Sequence, residues 1–505
     1  MSLAVIYSRA QLGVDAPLVT VEAHLANGLP ALSIVGLPET AVRESKDRVR
    51  SALLYSGFEF PAKRITINLA PADLPKQGGR YDLAIALGIL AASGQVPGEP
   101  LAAYEFVAEL ALSGAIRPVK GILPSVLAAA ADGRRLICAH ANGDEAGLVS
   151  PHNSLTAGHL VEVCRQLHDE QTLPGAEPPE PAGHSLPLAD LRDVRGQQQA
   201  RRALEVAAAG SHHLLLIGPP GTGKTLLASR LPGILPELSD REALETAAVT
   251  AIGPQGFGAR QWKRKPFRTP HHSASAAALV GGGNPPRPGE ISLAHQGVLF
   301  LDELPEFKRH VLEALREPLE TGRVSISRAA QQMEFPARFQ LVAAMNPCPC
   351  GWLGDPSGRC RCTSEQVQRY RARVSGPLLD RIDLHIEVQR LAYDAMNGPQ
   401  GEPSDSVRKR VARARQIQLQ RSNMLNSQLT PQQIDAVCAL KKTDRLLLQR
   451  TMEKLQLSAR AYHRILRLAR TIADMEAAAD IMTRHLSEAI NYRKLDRTVT
   501  GIADN

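Results

Sequence analysis

One glycine-rich stretch has the residue types and the spacing that bind phosphate. It lies at Gly218–Thr225, reads GPPGTGKT and fits the pattern G-x-x-x-x-G-K-[ST]. In such a loop the backbone N–H groups surround the phosphates at the positive end of the following helix. Lys224 would reach the β- and γ-phosphates, and Thr225 would hold Mg²⁺ through its hydroxyl. The candidate nucleotide-binding residues are Gly218, Pro219, Pro220, Gly221, Thr222, Gly223, Lys224 and Thr225.

The residues on either side of this loop predict the strand and the helix that position it. His213–Ile217 is a short apolar run suited to a buried strand, and Leu226–Arg230 can open a helix. A glycine-rich turn can fit the pattern by chance, but strand, glycine loop and helix in this order are the context that phosphate binding needs. The sequence therefore predicts a nucleoside triphosphate site here.

A second apolar run ends in two acidic residues that can supply hydrolytic chemistry. Val298–Leu301 is followed by Asp302 and Glu303, as at the exit of a buried parallel strand. Asp302 would fix Mg²⁺, directly or through water, and Glu303 would polarise the water that attacks the γ-phosphate. This pattern is a weak signal alone, but downstream of a phosphate-binding loop it predicts ATP hydrolysis.

Length and composition indicate a multidomain globular protein. The 505 residues are too many for one hydrophobic core, and 44% hydrophobic with 22% charged residues suits a water-soluble chain. We find no apolar run of transmembrane length and no signal-peptide pattern at the start, so we expect a cytoplasmic protein without membrane contact. The net charge of +8 is compatible with a polyanionic partner without requiring one.

Four of the seven cysteines are clustered and have the spacing of metal ligands. Cys348 and Cys350 are separated by nine residues from the pair Cys360 and Cys362. Four thiolates suffice for a closed tetrahedral Zn²⁺ site, although C-x-C is less common than C-x₂-C. We expect structural zinc, with reduced free thiols and a redox function as the alternatives.

Residues 1–168 have the pattern of an α/β domain with many short strands. We predict strands at Val19–Leu25, Ala31–Val35, Lys63–Leu69, Phe106–Leu112 and Arg135–Ala139, and helices at Glu39–Tyr55 and Tyr81–Ala92. The Pro-rich segment 169–187 has no hydrophobic periodicity and reads as a semi-extended linker.

Two stretches of residues 1–168 resemble the proteolytic domain of Lon protease, which has a ribosomal-S5-like fold. They are Pro71–Asp82 and Gly114–Ile122. Lon proteases use a serine nucleophile and a lysine base. This chain places Arg80 at the position of the serine and Leu123 at that of the lysine. Neither residue can do that chemistry, so we expect a non-catalytic domain and no peptidase activity.

The chain as a whole resembles the magnesium-chelatase-like AAA+ family, and specifically the bacterial ComM/YifB proteins. The stretches that carry the resemblance are Pro71–Gln95, Pro288–Phe307, Asn346–Gly351 and Gly376–Val388. The resemblance implies an α/β multidomain fold with an S5/Lon-like domain at 1–168, the linker at 169–187, an AAA+ P-loop core with a parallel sheet at 188–390, an α-helical lid at 391–497 and a tail at 498–505.

The resemblance also assigns residues outside the two nucleotide motifs. Val194 lies where AAA+ ATPases contact adenine, and Asn346 lies where they place sensor 1, which orients the attacking water. A strand-end asparagine that makes a turn is an alternative for Asn346. Arg381 corresponds to the arginine finger that reaches the ATP of a neighbouring subunit. Arg460 is our choice for sensor 2 in the lid, with Arg464 and Arg467 as alternatives.

Two insertions contain candidate DNA contacts. Arg268–Ile291 is a long loop, and Glu320–Phe339 reads as strand, turn and strand, like the hairpin that precedes sensor 1 in this branch of AAA+ proteins. For each candidate a solvated surface residue is an equal alternative. The hairpin tip has no aromatic residue, which favours DNA backbone over a threaded polypeptide. The candidates are Arg268, His271, His272, Arg287, Arg323 and Arg328.

Together these features predict an ATP-driven ring motor that acts on DNA. The resemblance implies a hexameric helicase that binds single-stranded or branched DNA and promotes branch migration in natural transformation. The expected cofactors are ATP and Mg²⁺, with Zn²⁺ at the cysteine cluster. The alternative is an ATPase that remodels protein, like the MoxR group, or that serves a chelatase.

Overall fold

The computed structural model describes residues 3–149, 153–178, 189–283, 286–328, 331–356, 358–391, 398–455 and 457–493. The chain forms two compact units. The first contains the described parts of Met1–Ser185 together with Asp240–Trp262 and Ser327–Phe335, and the second contains the rest. The predicted tail 498–505 and residues 179–187 of the predicted linker lie outside the described residues.

The first unit is built on a mixed seven-stranded sheet. Its order is β3-β4-β2-β1-β5-β8-β9, and β6 pairs with β7 in a separate ribbon. The β1–β2 and β2–β4 pairs are antiparallel, and the other neighbours in the large sheet are parallel. The strands are β1 Leu3–Arg9, β2 Leu18–Ala26, β3 Ala31–Val35, β4 Arg64–Ala70, β5 Tyr104–Phe106, β6 Glu109–Leu110, β7 Ile116–Arg117, β8 Arg135–Ala139 and β9 Ser154–Ala157.

The helices of this unit pack around one that is buried on all sides. They are α1 Thr40–Arg43, α2 Ser45–Tyr55, α3 Asp82–Ala92, α4 Ile122–Ala131, α5 Gly143–Gly147 and α6 Leu160–Leu167. Every residue of α3 is buried, because this helix is apolar around its whole circumference after Asp82. Helix α3 packs against β1, β2 and α2 and forms the centre of the core.

The second unit contains a five-stranded sheet in which every described pair is parallel. Its order is β11-β14-β17-β10-β18. The strands of this part of the chain, including two short two-stranded pairs, are β10 Leu214–Ile217, β11 Phe267–Arg268, β12 Gly281–Gly282, β13 Arg287–Pro288, β14 Val298–Leu301, β15 Arg323–Arg328, β16 Gln331–Pro336, β17 Gln340–Met345 and β18 Leu384–Glu387.

Most of the remaining helices belong to the second unit. They are α7 Gln198–Gly210, α8 Lys224–Ile234, α9 Asp240–Ala251, α10 Ala276–Val280, α11 Glu290–Leu293, α12 Arg309–Glu313, α13 Arg316–Thr321, α14 Ser364–Arg371, α15 Gly376–Leu379, α16 Ser404–Ser422, α17 Pro431–Val437, α18 Lys442–Leu455, α19 Ala459–Met475 and α20 Thr483–Asn491. Helix α9 belongs to the first unit, where Ala247 and Ala248 pack against Leu123 of α4.

The central strands are fully buried, and their parallel arrangement positions the candidate site. All residues of β10, β14 and β17 are buried, as expected for a sheet that is covered on both faces. Residues that follow these strands meet at one edge, because the carboxyl ends of parallel strands lie together. One hydrophobic cluster includes residues from this sheet and from α16–α20, so the predicted core and lid share a core.

The structure changes three of the predicted elements and groupings. Phe106–Leu112 is not one strand, because the chain leaves the sheet where the Ala108 N–H donates to the Arg80 carbonyl at 3.1 Å. Glu39–Tyr55 forms two helices rather than one. Asp240–Trp262, which the sequence pattern placed in the ATPase core, groups with the first unit.

Candidate functional site

The phosphate-binding loop joins β10 to α8 and has glycine where the backbone requires it. A Cβ atom on Gly218 would lie 2.3 Å from the carbonyl oxygen of Val388. Gly221 and Gly223 have φ angles of +77° and +90°, which other residues rarely adopt. Helix α8 has 11 residues and starts at Lys224, so its first N–H groups and dipole face an anion at this loop.

Lys224 lies over the loop and contacts only oxygen atoms. Its Nζ donates to the carbonyls of Gly218 at 2.7 Å and Pro219 at 2.9 Å, and to Oδ1 of Asn346 at 3.1 Å. Burial lowers the pKa of Lys224, and the nearby carboxylates of Asp302 and Glu303 oppose that shift. Phosphate oxygens would compete for the same ammonium hydrogens.

Thr225 and Asp302 form a pair of hard oxygen donors. The Thr225 hydroxyl donates to Oδ2 of Asp302 at 2.6 Å, and the backbone N–H of Glu303 donates to Oδ1 of Asp302 at 2.9 Å. Hydroxyl and carboxylate oxygens are the ligands that Mg²⁺ prefers. The residues present therefore fit a Mg²⁺ ion bound together with nucleotide phosphates.

Glu303 is exposed, and its carboxylate is held by a histidine. Its φ angle is +53°, and 54% of its side chain is accessible to solvent. His272 Nδ1 lies 3.0 Å from Oε2 of Glu303, and the His272 ring contacts the ring of His271 at a centroid distance of 4.1 Å. The sequence analysis placed both histidines among the DNA contacts, and it missed the contact between His272 and Glu303.

Asn346 follows β17 and lies beside the phosphate-binding loop. The apolar run before it was the sequence signal, and its Oδ1 accepts a hydrogen bond from Lys224 of the phosphate-binding loop. This position is compatible with a side chain that orients water. Asn346 also precedes the cysteine cluster, because Cys348 is only two residues further along the chain.

Val194 is buried in the hydrophobic core of the second unit, where its neighbour in sequence Gln197 reaches the phosphate-binding loop. Gln197 Nε2 donates to the Thr222 carbonyl at 3.3 Å and to the Gln389 carbonyl at 2.7 Å. Gln197 has a φ angle of +48° just before α7. Gln197 is the last residue of the stretch Asp193–Gln197 that the resemblance assigned to adenine contact, although only Val194 was chosen from that stretch as a candidate.

Arg381 is buried in an ion pair with Glu320. Only 7% of its side chain is exposed, and Nη1 donates to the Pro377 carbonyl at 2.7 Å. Arg381 lies three residues before β18, at the amino end of the sheet, whereas the phosphate-binding loop follows the carboxyl end of β10. An action on the ATP of a neighbouring subunit requires release of the ion pair with Glu320.

Three arginines of α19 were considered for sensor 2. Arg460 is exposed, and the contacts described for this helix do not involve its side chain. Arg464 donates to the Arg381 carbonyl at 2.7 Å and to Oδ1 of Asp383 at 2.6 Å. Arg467 donates to the Leu429 carbonyl. Arg460 is therefore the one whose guanidinium is not committed to these internal contacts.

The candidate DNA contacts differ in burial and in the contacts that the structure gives them. Arg268 makes a bidentate ion pair with Glu290 at 2.6 and 2.7 Å, so it is not a free phosphate ligand. His271 Nδ1 lies 2.8 Å from the Ser273 hydroxyl. Arg287 and Arg323 are exposed. Arg328 lies in β15, and its side chain is outside the described part of the structure.

The positions matched to the Lon dyad have no acid–base pair. Arg80 is 6% exposed, and Nη2 donates to Oε1 of Gln11 at 3.0 Å and to the Lys120 carbonyl at 2.8 Å. Leu123 is fully buried against the alanines of α9. Both side chains support the fold of the first unit at the positions where Lon proteases carry catalytic groups.

The four clustered cysteines come together as a set of sulfur ligands. Their Sγ atoms all lie within 4.8 Å of one another. Cys348 Sγ is 3.4 Å from Cys350 Sγ and 3.8 Å from Cys360 Sγ, and the distance between Cys350 and Cys360 is 3.7 Å. The N–H of Trp352 lowers the pKa of Cys350 to about 6, whereas burial raises the pKa of Cys348 to about 12.

Among the described residues, no helix combines the length and the apolar character that crossing a membrane requires.

Comparison with known proteins identifies close relatives over the full length. Residues 190–396 match the family described as "Magnesium chelatase, subunit ChlI", residues 21–142 match "Subunit ChlI of Mg-chelatase", and residues 401–493 match "Magnesium chelatase, subunit ChlI C-terminal". "Competence protein ComM" of Haemophilus influenzae is 52% identical and covers 100% of both chains. "Uncharacterized protein YifB" of Salmonella typhimurium is 53% identical over 98% of each chain. "Lon protease 2" of Bacillus subtilis is 26% identical over 42% of this chain and 43% of its own length.

Proposed function

This chain belongs to the ComM/YifB family of magnesium-chelatase-like AAA+ proteins, and we propose that it is an ATP-hydrolysing ring motor that acts on DNA. In full, we propose that the protein is a hexameric, cytoplasmic helicase that promotes branch migration during homologous recombination in natural transformation. The name of the relative "Competence protein ComM" supports the link to competence.

The observation that carries the proposal is the meeting of five polar side chains at the carboxyl edge of the parallel sheet. Lys224 contacts Asn346, and Thr225 contacts Asp302, although each pair is far apart in sequence. Glu303 is adjacent to Asp302 and exposed. A cation, two Mg²⁺ ligands, an amide and a solvent-exposed carboxylate are the groups that phosphoryl transfer to water requires.

Each of these residues has a distinct part in the proposed reaction. The ammonium of Lys224 exchanges its loop carbonyls for phosphate oxygens, and Thr225 and Asp302 would hold Mg²⁺, which offsets phosphate charge when it is bound. The carboxylate of Glu303 accepts a hydrogen bond from the attacking water and polarises it. To do so, Glu303 must leave His272, so the loop that carries His272 can influence the rate of hydrolysis.

Assembly into a ring would place Arg381 against the nucleotide of an adjacent subunit. Arg381 lies at the opposite end of the sheet from the phosphate-binding loop of its own chain, so a role in catalysis requires another copy. Release of its ion pair with Glu320, which is 56% exposed, would make the guanidinium available. In the lid, Arg460 is the residue that we propose as sensor 2.

The support for DNA as the substrate is the hairpin of β15 and β16 together with the exposed arginines. Arg323 in the hairpin and Arg287 are exposed, and cationic side chains in a central pore would contact phosphates. The net charge of +8 favours such a polyanion. His271 and Arg328 remain proposed contacts, whereas Arg268 would first have to leave Glu290.

The proposed cofactors are ATP with Mg²⁺ and a Zn²⁺ ion at Cys348, Cys350, Cys360 and Cys362. We propose that the Lon-like domain at 1–168 is non-catalytic and connects through 169–187 to the ATPase core at 188–390 and the lid at 391–497. We also propose that Val194, three residues before Gln197, contributes to adenine binding.

A strand-exchange assay with labelled three-way and four-way DNA junctions tests this function. We expect the protein to convert junctions to products only with ATP and Mg²⁺, and Lys224→Ala to lose both nucleotide binding and conversion. Junctions that stay intact under active ATP hydrolysis would reject the helicase. A hydrolysis rate indifferent to every DNA would instead favour the protein-remodelling or chelatase-type ATPase.

A further inference from the structure

The geometry of the four-cysteine cluster matches a tetrahedral zinc site. With Zn–S bonds of about 2.3 Å, the sulfur–sulfur edge of a four-thiolate tetrahedron measures about 3.8 Å. The Sγ atoms of Cys348, Cys350 and Cys360 lie 3.4, 3.7 and 3.8 Å apart, and Cys362 Sγ lies within 4.8 Å of each of them. A disulfide would bring two sulfurs to about 2.05 Å. All four cysteines are free of disulfides, and their sulfurs are close enough together to bind one metal ion.

The cluster is also built into the nucleotide site. Gly351, next to Cys350, has a φ angle of +83°, and a Cβ atom there would lie 2.6 Å from Cδ of Pro220 and 3.7 Å from Cγ of Asn346. The backbone of the cysteine loop is therefore in close contact with the phosphate-binding loop. On the other side, Nε of Arg371 donates to the Pro347 carbonyl at 3.1 Å.

Short-range turn hydrogen bonds lie within the described part of the loop between the two cysteine pairs: the Asp355 N–H donates to the Trp352 carbonyl at 3.1 Å, and the Gly358 N–H donates to the Asp355 carbonyl at 3.2 Å. The loop contains Gly354 and Gly358 in the left-handed region, with φ angles of +81° and +63°, and a Cβ atom at either would meet nothing within 4 Å. The guanidinium of Arg359 lies over the Trp352 ring, 5.1 Å from its centroid. A metal that joins four side chains fixes such a segment, because its binding free energy contributes directly to local folding.

We propose that Zn²⁺ bound by Cys348, Cys350, Cys360 and Cys362 positions Asn346 and Pro220, so that ATP hydrolysis depends on the metal. The cysteines are positioning residues, since none of them reaches the phosphate-binding loop itself. The inference rests on the proposed ATPase. Loss of zinc leaves Lys224 and the loop glycines in place, so we expect nucleotide affinity to change little and kcat to fall.

Metal content tests the site without any assay of activity. Purified full-length protein should contain one zinc per chain and no iron, and Co²⁺ exchanged into the site should give the visible absorption of a four-thiolate complex. Cys350→Ser with Cys362→Ser should lose the metal, while Cys438→Ala, at a buried cysteine outside the cluster, should keep it. A folded parent protein without zinc would overturn the site.

A matched pair of glycine variants tests the coupling to hydrolysis. Gly351→Ala and Gly354→Ala impose the same backbone strain, but only the first introduces an atom against Pro220. We expect both to retain zinc and Gly351→Ala to lower kcat about tenfold, in the range of losses when the support of a site is disturbed. Nucleotide affinity should stay within about threefold of the parent. Equal kcat values in the two variants would overturn the coupling.

The two kinds of failure can be separated. If the parent protein binds zinc but hydrolyses no ATP, the proposed ATPase fails and the metal site stands. If the parent hydrolyses ATP and a chelator removes the zinc without changing kcat, or with loss of nucleotide binding instead, the proposed role of the metal is rejected.

Discussion

The two ends of the five-stranded parallel sheet differ in how far their polar groups are exposed to solvent. At the carboxyl end, Glu303 is exposed in a left-handed backbone conformation, and Thr225 is exposed beside Asp302. At the amino end, Asp383 is 4% exposed and accepts from Arg464 at 2.6 Å and from the N–H of His213 at 3.1 Å. One end offers its groups to solvent, and the other uses them internally.

At the amino end of the sheet, burial and ion pairing shift the pKa values of two side chains. Although burial alone would raise it, the positive charge of Arg464 holds the pKa of Asp383 well below its ordinary value. Desolvation lowers the pKa of His213 to about 4, so its neutral ring accepts a hydrogen bond from the Leu341 N–H at 3.0 Å. The amino end thus fixes the strands, and the carboxyl end keeps donors and acceptors available for a ligand. Each prediction below separates the two ends.

Glu303→Gln should have the largest effect on chemistry and none on stability. Loss of a carboxylate that polarises water costs about 10²–10³-fold in kcat. Nucleotide affinity and melting temperature should match those of the parent, because the side chain is more than half exposed. ATP hydrolysis and thermal unfolding, measured side by side, check this. A kcat equal to that of the parent would remove Glu303 from the proposed mechanism.

Arg381→Ala subunits mixed with active subunits should poison hydrolysis. If Arg381 acts on the ATP of a neighbouring subunit, each Arg381→Ala subunit also impairs an active neighbour. The ATPase rate of the mixture then falls by more than the fraction of variant subunits. Arg369→Ala is the control, because Arg369 is exposed and paired with Glu365 within one helix. Activity that falls only in proportion to the inactive fraction would reject action in trans. Nucleotide binding by Arg381→Ala alone shows that the variant is folded.

Asp383→Asn should affect stability and leave chemistry intact. Removing one partner of a buried ion pair costs about 3 kcal/mol of unfolding free energy. Asp302→Asn at the other end should change that free energy by less than about 1 kcal/mol, since its surroundings are open to water. Urea unfolding of both variants checks the contrast. Equal losses of unfolding free energy in the two variants would contradict the difference in burial between the two ends of the sheet.

His272→Ala should have the smallest effect, and in the opposite direction. One hydrogen bond worth about 1 kcal/mol corresponds to about a fivefold rise in hydrolysis without DNA when Glu303 is released. His271→Ala is the control, because its ring nitrogen contacts Ser273 instead. An unchanged or lower basal rate in His272→Ala would show that the contact does not restrain Glu303.

The sequence predicted the strands of the site because their signals are local. The runs before Gly218, Asp302 and Asn346 are apolar and continuous, as buried parallel strands require, and each ends in residues of the site. The contact of His272 with Glu303 and the ion pair of Arg268 with Glu290 join residues that no short pattern connects. The same is true of Arg381 and Glu320, 61 positions apart.

Long-range packing also explains the errors in the predicted elements. Helix α9 lies within the range 188–390 given for the ATPase core, and nothing in its own sequence indicates that its alanines pack on Leu123. The predicted strand Phe106–Leu112 was wrong because Ala108 bonds to Arg80, a partner outside the run. Tertiary contacts decided both cases against the local pattern.

The most direct measurement of the central claim is the ATPase rate with and without DNA across a salt series. Single strands, duplexes and three- or four-way junctions should be compared at equal nucleotide concentration. We predict that branched DNA stimulates hydrolysis most and that the stimulation declines steeply with salt, because contacts with phosphates release counterions. A rate that is unchanged by every DNA at low salt would contradict the proposal that this motor acts on DNA.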